Sequence, residues 1–90
     1  MTKRDKLEVI KDILLIIQKH NNSIKPTPLL RYSNLSSQNF TEYITELLLK
    51  EFIREAIDNK GRKYYTLTDK GFNYIERYKI ILDFIDEFEL

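Results

Sequence analysis

The chain has 90 residues, of which 42% are apolar and 12% aromatic, and its formal net charge at pH 7 is +1. This length allows one small domain with a single core and excludes two. The absence of cysteine and the presence of a single histidine exclude a disulfide framework and a thiolate zinc site. A net charge so close to zero argues against a protein that coats nucleic acid through bulk positive charge.

Neither a membrane span nor a signal peptide is predicted. The longest aliphatic run, residues 13–17, is far shorter than the roughly 20 apolar residues that cross a bilayer. The first residues lack the layout of a signal peptide. Because the absence of cysteine also fits a reducing compartment, we expect a soluble, cytoplasmic protein without a membrane partner.

Positive charge is concentrated in two places. Residues 1–35 contain seven Lys and Arg against three Asp and Glu, and residues 58–70 contain four against two. Residues 36–57 and 71–90 are net acidic. The charge pattern therefore predicts two separate basic surfaces.

The first predicted helix covers residues 4–20, because apolar residues recur there at three- and four-residue spacing. The Asn21-Asn22 pair ends it. Residues 23–25 form a short extended segment, since Pro26 biases the residue before it away from helical geometry.

A short second helix is predicted over residues 29–33. Thr27 and Pro28 mark its start, because threonine can cap free amides and proline at the first helical position loses no needed hydrogen bond. The span of residues 33–35 has about the length of the turn between the two helices of a helix-turn-helix.

The third helix is predicted to follow an N-cap at Ser36 and to end near Glu51. One side of it is apolar and consists of Phe40, Tyr43, Ile44, Leu47 and Leu48. The other side carries short polar side chains, namely Gln38, Thr41, Glu42 and Thr45. An ordinary solvated helix face would instead show long Lys and Glu pairs.

Two strands and a last helix complete the predicted order. Residues 52–57 and 63–67 have the β-branched and aromatic side chains of strands. The Asn59-Lys60-Gly61 turn is expected to supply the positive-φ residues of a tight hairpin. Thr68 is the predicted N-cap of a helix over residues 69–89.

This order resembles a winged helix-turn-helix domain, an α+β fold that is mainly α. NLSSQNFTEYITELLLKEFI resembles a recognition helix leading into a wing, and YYTLTDKGFNYI resembles the closing strand and final helix. The resemblance is closest to small archaeal winged-helix DNA-binding proteins that pair through a C-terminal coiled-coil helix, which include chromatin-type proteins and predicted transcriptional regulators. It implies a winged helix-turn-helix domain over residues 1–68 and a C-terminal dimerisation helix over residues 69–90.

Two features depart from the chromatin-type proteins of that group. Those proteins tend to be more basic than this chain, and the last helix is short for a long coiled coil. A dimeric transcriptional regulator is therefore favoured over an abundant DNA coat.

The resemblance implies contacts with the bases of double-stranded DNA from the third helix. The candidates in the major groove are Ser37, Gln38, Thr41, Glu42 and Thr45. Gln38 could pair with adenine, Thr41 could contact a thymine methyl group, and Glu42 could accept from a cytosine amino group. The alternative is a solvated helix face with a serine cap, because a carboxylate without such a partner repels phosphate.

Basic residues in two regions are candidates for contacts with the DNA backbone. They are Lys25 and Arg31 near the second helix, and Lys60, Arg62 and Lys63 in the wing. The alternative for the wing is a charged, solvated turn, since turns favour Asn, Asp, Gly and Lys. Lys3, Arg4 and Lys6 could add a basic N-terminal arm.

The apolar stripe of the last helix is wider than one small core can cover. Packing on the first helix would account for Phe72 and Ile75 and could also account for Tyr78, while Tyr74, Ile80 and Phe84 widen the stripe. A second chain is the natural cover, so we expect a homodimer. The candidate interface residues are Tyr78, Ile81, Leu82, Ile85 and Phe88.

Catalysis, a bound metal and a cofactor are not expected. The acidic residues of the last helix lie between the residues of an apolar stripe, and solubility alone accounts for them. His20 has no serine or carboxylate positioned to form a triad, and Gly61 and Gly71 cannot build a glycine-rich phosphate loop. A winged-helix module for protein–protein contact remains the alternative, because a fold does not fix its function.

Overall fold

A computed structural model describes residues 5–90, which form four helices and one two-stranded antiparallel sheet. The helices are α1 (Lys6–Lys19), α2 (Pro26–Ser33), α3 (Ser37–Leu49) and α4 (Asp69–Glu87). The strands are β1 (Ile53–Ile57) and β2 (Lys63–Leu67). The predicted fold class, a mainly helical winged helix-turn-helix, is confirmed.

The centre of the core is built from α1. Ile13, Leu14 and Ile17 of this helix are completely buried, and they belong to one apolar cluster with Leu29 of α2 and Leu47 of α3. Burying a side chain of this size contributes about 1.5–3 kcal/mol to stability. The cluster therefore fixes the positions of α2 and α3 relative to α1.

Side-chain caps set the start of three helices. Asp5, Ser36 and Thr68 each accept a hydrogen bond from the amide three residues later, at 2.8, 3.2 and 3.2 Å. Each cap satisfies one of the amides that a helix start leaves free. The predicted caps at Ser36 and Thr68 are confirmed, while Arg4, the predicted start of the first helix, lies outside the described residues.

The start of α2 differs from the prediction. The helix begins at Pro26, and its N-cap residue is Lys25, whose side chain makes no capping hydrogen bond. Thr27 is therefore a helical residue and not the cap. Proline suits the first helical position because its φ angle is already helical and its missing amide would be unpaired there, so Pro26 starts the helix before Thr27 can.

The connection between α1 and α2 adds a third short piece to the sheet. Asn21 and Asn22 have φ angles of +59° and +58°, which end α1 as predicted. The amide of Ile24 donates to the carbonyl of Tyr65 at 3.2 Å, and the amide of Tyr65 donates back at 2.8 Å. The predicted short extended segment is thereby confirmed as a bridge to β2.

The hairpin of β1 and β2 is the wing. Its register pairs Ile53 with Leu67 and Ile57 with Lys63. Within the predicted turn only Gly61 has a positive φ, of +76°, so the expectation that the whole Asn59-Lys60-Gly61 turn supplies such residues is wrong for the other two. The reason is that a three-residue hairpin loop needs one left-handed residue, at its last position.

The first half of α4 packs against the domain. Phe72, Tyr74 and Ile75 lie on the core, and the Tyr74 hydroxyl donates to the carbonyl of Leu7 at 2.9 Å. The expectation that Tyr74 belongs to the uncovered part of the stripe is therefore wrong. Beyond residue 79 the apolar side chains of α4 are largely exposed.

Candidate nucleic-acid interface

The five residues predicted to contact bases share one face of α3. Ser37, Gln38, Thr41, Glu42 and Thr45 are all exposed. At 3.6 residues per turn they fall within about 140° of arc, opposite the buried Phe40, Ile44 and Leu47. This face is available to a partner along most of the helix.

The hydroxyl groups of the two threonines on this face bond within the helix. Thr41 donates to the carbonyl of Ser37 at 2.9 Å, and Thr45 donates to the carbonyl of Thr41 at 2.8 Å. A hydroxyl carries one proton, which is used here, so these side chains present their methyl groups and oxygen lone pairs to the outside.

The two carboxylates near this face differ in their hydrogen-bond partners. Glu46 accepts from Lys6 at 2.7 Å and from Lys50 at 3.0 Å, and these bonds, that of Lys6 first, hold the pKa of Glu46 below its ordinary value. Glu42 forms no hydrogen bond or ion pair within residues 5–90. Within residues 5–90 Glu42 is therefore a carboxylate that an incoming partner would meet without an ion-pair partner, although Lys6 lines the same small groove.

Lys6 has a structural contact that sequence reasoning did not anticipate. Its ammonium group bonds Glu46, which ties the start of α1 to α3 and raises the pKa of Lys6. Lys6 therefore has a partner within the domain, and its membership of a basic arm stays a prediction. Lys3 and Arg4, the other members of that predicted arm, lie outside the described residues.

Asp58 organises the tip of the wing. One of its carboxylate oxygens accepts from the amides of Lys60 and Arg62, both at 2.8 Å. These bonds, that of Arg62 first, hold the pKa of Asp58 below its ordinary value. The sequence analysis missed this role, although an aspartate that bonds the amide two residues later is a common turn device.

The three wing cations are not equivalent. In the described part of the chain, the exposed side chains of Lys60 and Arg62 take part in no ion pair. The ammonium of Lys63 lies 3.5 Å from a carboxylate oxygen of Glu55 on the neighbouring strand. Lys60 and Arg62 are therefore freer than Lys63 to bind an external anion.

Lys25 and Arg31 line an open groove of about 730 Å³ between α2 and the wing, and Asp58 and Asn59 line its wing side. The guanidinium of Arg31 lies 5.8 Å from the centre of the Tyr32 ring. The groove thus contains the two predicted cations near α2, whereas the wing cations Lys60, Arg62 and Lys63 do not line it.

Amides at the start of α2 contribute little to this groove. The prolines at positions 26 and 28 have no N–H group, and the amide of Leu29 already donates to the carbonyl of Lys25 at 3.2 Å. An anion at this end of α2 would therefore be bound mainly by side chains.

Leu49 was missed by the sequence analysis. It lies one turn beyond Thr45 and is 79% exposed. Together with Thr41, Glu42 and Thr45 it lines an open groove of about 520 Å³ on α3. The signal that could have found it is its spacing of four residues from Thr45.

The candidate dimer residues lie on the outer half of α4. Ile81, Leu82 and Phe88 are exposed, and Ile85 is partly exposed. Tyr78 is half-buried, with its ring stacked at 6.2 Å from Tyr74 in the same chain.

Residues 5–90 contain neither a metal-ligand cluster nor a membrane-spanning helix. No group of three or more His, Cys, Asp or Glu side chains is arranged to hold a metal ion. In the same residues, no helix combines the length and apolar content needed to cross a membrane.

Several solved structures share this fold. MepR, a transcription regulator of the Staphylococcus aureus multidrug efflux pump MepA, superposes with a TM-score of 0.77 at 18% identity. The alignment covers 88% of this chain and 59% of MepR, so the chain spans about three fifths of that protein.

Two smaller proteins match over most of their own length. Sso10a-2, a DNA-binding protein from Sulfolobus solfataricus, has a TM-score of 0.75 at 17% identity, with 96% of this chain and 86% of that chain covered. F93 from STIV, a winged-helix DNA-binding protein, has a TM-score of 0.73 at 19% identity, with 89% and 91% covered. At these identities the likeness shows the fold.

The family follows from the sequence itself. No curated protein sequence matches the chain. A sequence model of the winged helix-turn-helix family, however, matches residues 3–86, which is nearly the whole chain. The protein therefore belongs to the winged helix-turn-helix family.

Proposed function

We propose that this protein is a dimeric transcriptional regulator that binds double-stranded DNA, with α3 in the major groove and the wing on the backbone. The observation that carries this proposal is the combination of two features, an exposed face of short polar side chains on α3 and a wing tip whose backbone is fixed by Asp58. Within residues 5–90 the exposed Lys60 and Arg62 of that tip form no ion pair. The solved neighbours support it, because they are described as a transcription regulator and as DNA-binding proteins.

On α3 the proposed base contacts are those of Ser37, Gln38, Thr41, Glu42 and Thr45. The amide of Gln38 can pair with adenine through two hydrogen bonds, and the carboxylate of Glu42 can accept from the amino group of cytosine. Within the described residues Glu42 has no cation at ion-pair distance, which favours a base contact over a position beside phosphate.

The proposed backbone contacts come from two basic regions, one near α2 and one in the wing. Lys25 and Arg31, which line the groove beside α2, would bind phosphate there, and the exposed Lys60 and Arg62 would bind it from the wing tip. Lys63 contributes less in this arrangement, because it shares its charge with Glu55. This small number of proposed phosphate contacts is consistent with a net charge of only +1.

The proposed dimer interface consists of Tyr78, Ile81, Leu82, Ile85 and Phe88. Large apolar side chains on one exposed helical segment are costly in water, and a second copy of the same segment can bury them symmetrically. A dimer would also place two α3 helices for two half-sites of DNA.

Binding to duplex DNA across several salt concentrations tests the proposal. If Lys60 and Arg62 contact phosphates, replacing either with alanine should weaken binding to all sequences about equally and lower the salt slope by about 1 per site. Lys19→Ala, which removes an exposed cation from the end of α1, is the matched control and should leave the slope unchanged.

Base recognition has a different signature. Gln38→Ala should lose about 1–3 kcal/mol on a sequence selected from a random pool and little on random DNA. Equal binding to all sequences, with no effect of Gln38→Ala, would indicate a chromatin-type protein. No binding near about 50 mM salt would exclude DNA as the partner and favour the protein–protein module.

A further inference from the structure

We propose that α3 recognises the methyl groups of thymine through an apolar stripe formed by Thr41, Thr45 and Leu49. This inference rests on the proposed DNA binding and adds the chemical feature that the helix selects. It draws on the internal hydrogen bonds of the threonines and on the exposure of Leu49.

The threonine hydroxyl groups are poor donors to a base. Both protons are already directed to helix carbonyls, at 2.9 and 2.8 Å. To contact an acceptor such as O6 or N7 of guanine, Thr41 or Thr45 would have to give up its internal bond. The methyl groups need no rearrangement, so apolar contact is the interaction that these side chains offer at no cost.

Leu49 continues the same surface. It follows Thr45 by four residues, as Thr45 follows Thr41, so the three side chains lie about 6 Å apart along the axis. With 79% of its surface exposed, Leu49 has no cover within the domain. The three residues line one open groove of about 520 Å³.

The thymine methyl is the apolar group that base pairs present in the major groove. Base pairs are spaced by about 3.4 Å, so a 6 Å repeat corresponds to about two base-pair steps. The stripe therefore fits methyl groups at every second base pair when α3 lies along the groove.

The charges around this groove favour the same ligand. Its lining includes Glu42, Glu46 and Lys50. The ammonium of Lys50 donates to Glu46 at 3.0 Å, and Glu42 is an acceptor. Among the residues that line this groove, the cation that could donate to the two acceptors of guanine is Lys50, which is already paired with Glu46, whereas thymine methyl groups and the cytosine amino group find suitable partners.

Replacing thymine by deoxyuridine tests the proposal, because it removes only the methyl group. The duplex preferred by the wild-type protein is selected from a random pool, and each thymine is then replaced in turn. Loss of one buried methyl should weaken binding about fourfold at the contacted thymines and not at the others.

Two variants of Thr41 separate the methyl from the hydroxyl group. Thr41→Ser keeps the hydroxyl but removes the methyl group. At one position the ratio of the affinity for thymine to that for deoxyuridine should therefore fall from about four to about one. Thr41→Val keeps a methyl in the same place and should retain that discrimination. The exposed Thr27 on α2 provides the control, since Thr27→Ser should leave every ratio unchanged.

Leu49→Ala should remove the discrimination at a second thymine, about four base pairs from the first. Leu7→Ala, which shortens another exposed leucine on α1, is its control. Specific binding without sensitivity to any deoxyuridine, or loss of discrimination in Thr41→Val but not in Thr41→Ser, would overturn the inference and leave DNA binding intact. Failure to bind any duplex near about 50 mM salt would overturn both.

Discussion

The two halves of α4 both carry apolar side chains at helical spacing, but their environments are opposite. Residues 69–78 are fixed to the domain by the Thr68 cap, by the Tyr74 hydroxyl bond and by the packing of Phe72 and Ile75. By contrast, six of the seven large apolar side chains from Ile80 to Leu90 have exposed fractions from 42% to 80%, and the seventh, Ile85, is partly exposed.

This difference arises from the length of the helix and not from its amphipathic pattern. The core that α1, α2 and α3 provide accommodates the first turns of α4, and the helix then extends past it. An apolar stripe therefore predicts that a surface will be covered, but not which chain covers it. The inner half, residues 69–78, stabilises the monomer. We propose that the outer half, from Ile80 onward, forms the interface with a second chain.

Gly71→Ala should have the largest effect, because it acts on the inner half. A Cβ atom at this position would overlap the carbonyl oxygen of Phe52 and press on the side chain of Leu67. The backbone would have to shift, which we expect to lower the free energy of unfolding by about 3 kcal/mol. Chemical denaturation of dilute protein measures this loss.

The second glycine provides the control for that experiment. Gly61 has open space around it but a φ angle of +76°, so Gly61→Ala should cost only about 1 kcal/mol through backbone strain. Equal costs for the two substitutions would mean that α4 does not approach Phe52 as closely as described.

Leu82→Lys combined with Ile85→Lys tests the outer half. Burying two ammonium groups in an apolar interface should weaken dimerisation at least about a hundredfold, while the fold of each chain is retained. Light scattering at tens of micromolar should show the mass of two chains for the wild type and of one chain for the variant.

Asp83→Lys with Glu87→Lys adds two lysines on the other side of the same helix and should leave the mass unchanged. A wild-type mass of one chain at this concentration would contradict the proposed dimer. Circular dichroism of each variant checks that α4 remains folded.

The features that the sequence predicted correctly are local. Helical spacing identified the buried faces of α1 and α3, and capping rules located Ser36 and Thr68, because these signals lie within a few residues. Local rules could not decide the start of α2, where prolines at positions 26 and 28 both allow a helix start.

The features that were missed depend on residues far apart in sequence. The bond between Lys6 and Glu46 and the contact of Gly71 with Phe52 form only when separate helices and strands meet. For the same reason the burial of Tyr74 could not be anticipated. The proposed DNA contacts, the dimer interface and the division after residue 68 stay predictions.

Thr68→Ala should have a moderate effect on the inner half. The Thr68 hydroxyl oxygen accepts from the amide of Gly71 at 3.2 Å, and its proton is within reach of the carbonyls of Glu51 and Phe52, at 2.5 and 3.1 Å. Losing the cap should cost about 1 kcal/mol, with up to about 1 kcal/mol more for the carbonyl bonds. Thr68→Ser keeps the hydroxyl and should recover most of the loss in thermal denaturation.

Tyr74→Phe should have the smallest effect, about 1 kcal/mol, because it removes only the hydrogen bond to the Leu7 carbonyl.

Burial raises the pKa of Tyr74 above its ordinary value of 10.0. Below pH 10 the folded and unfolded states both keep the proton, so the full stabilisation is present. As the pH rises past this value, the unfolded state ionises first and the stabilisation is lost. The difference in unfolding free energy between wild type and Tyr74→Phe should therefore be constant up to about pH 9 and shrink above pH 10. A difference that grows with pH would mean that the tyrosine is ionised more easily in the folded chain, and that the inner half of α4 is less firmly packed than the structure indicates.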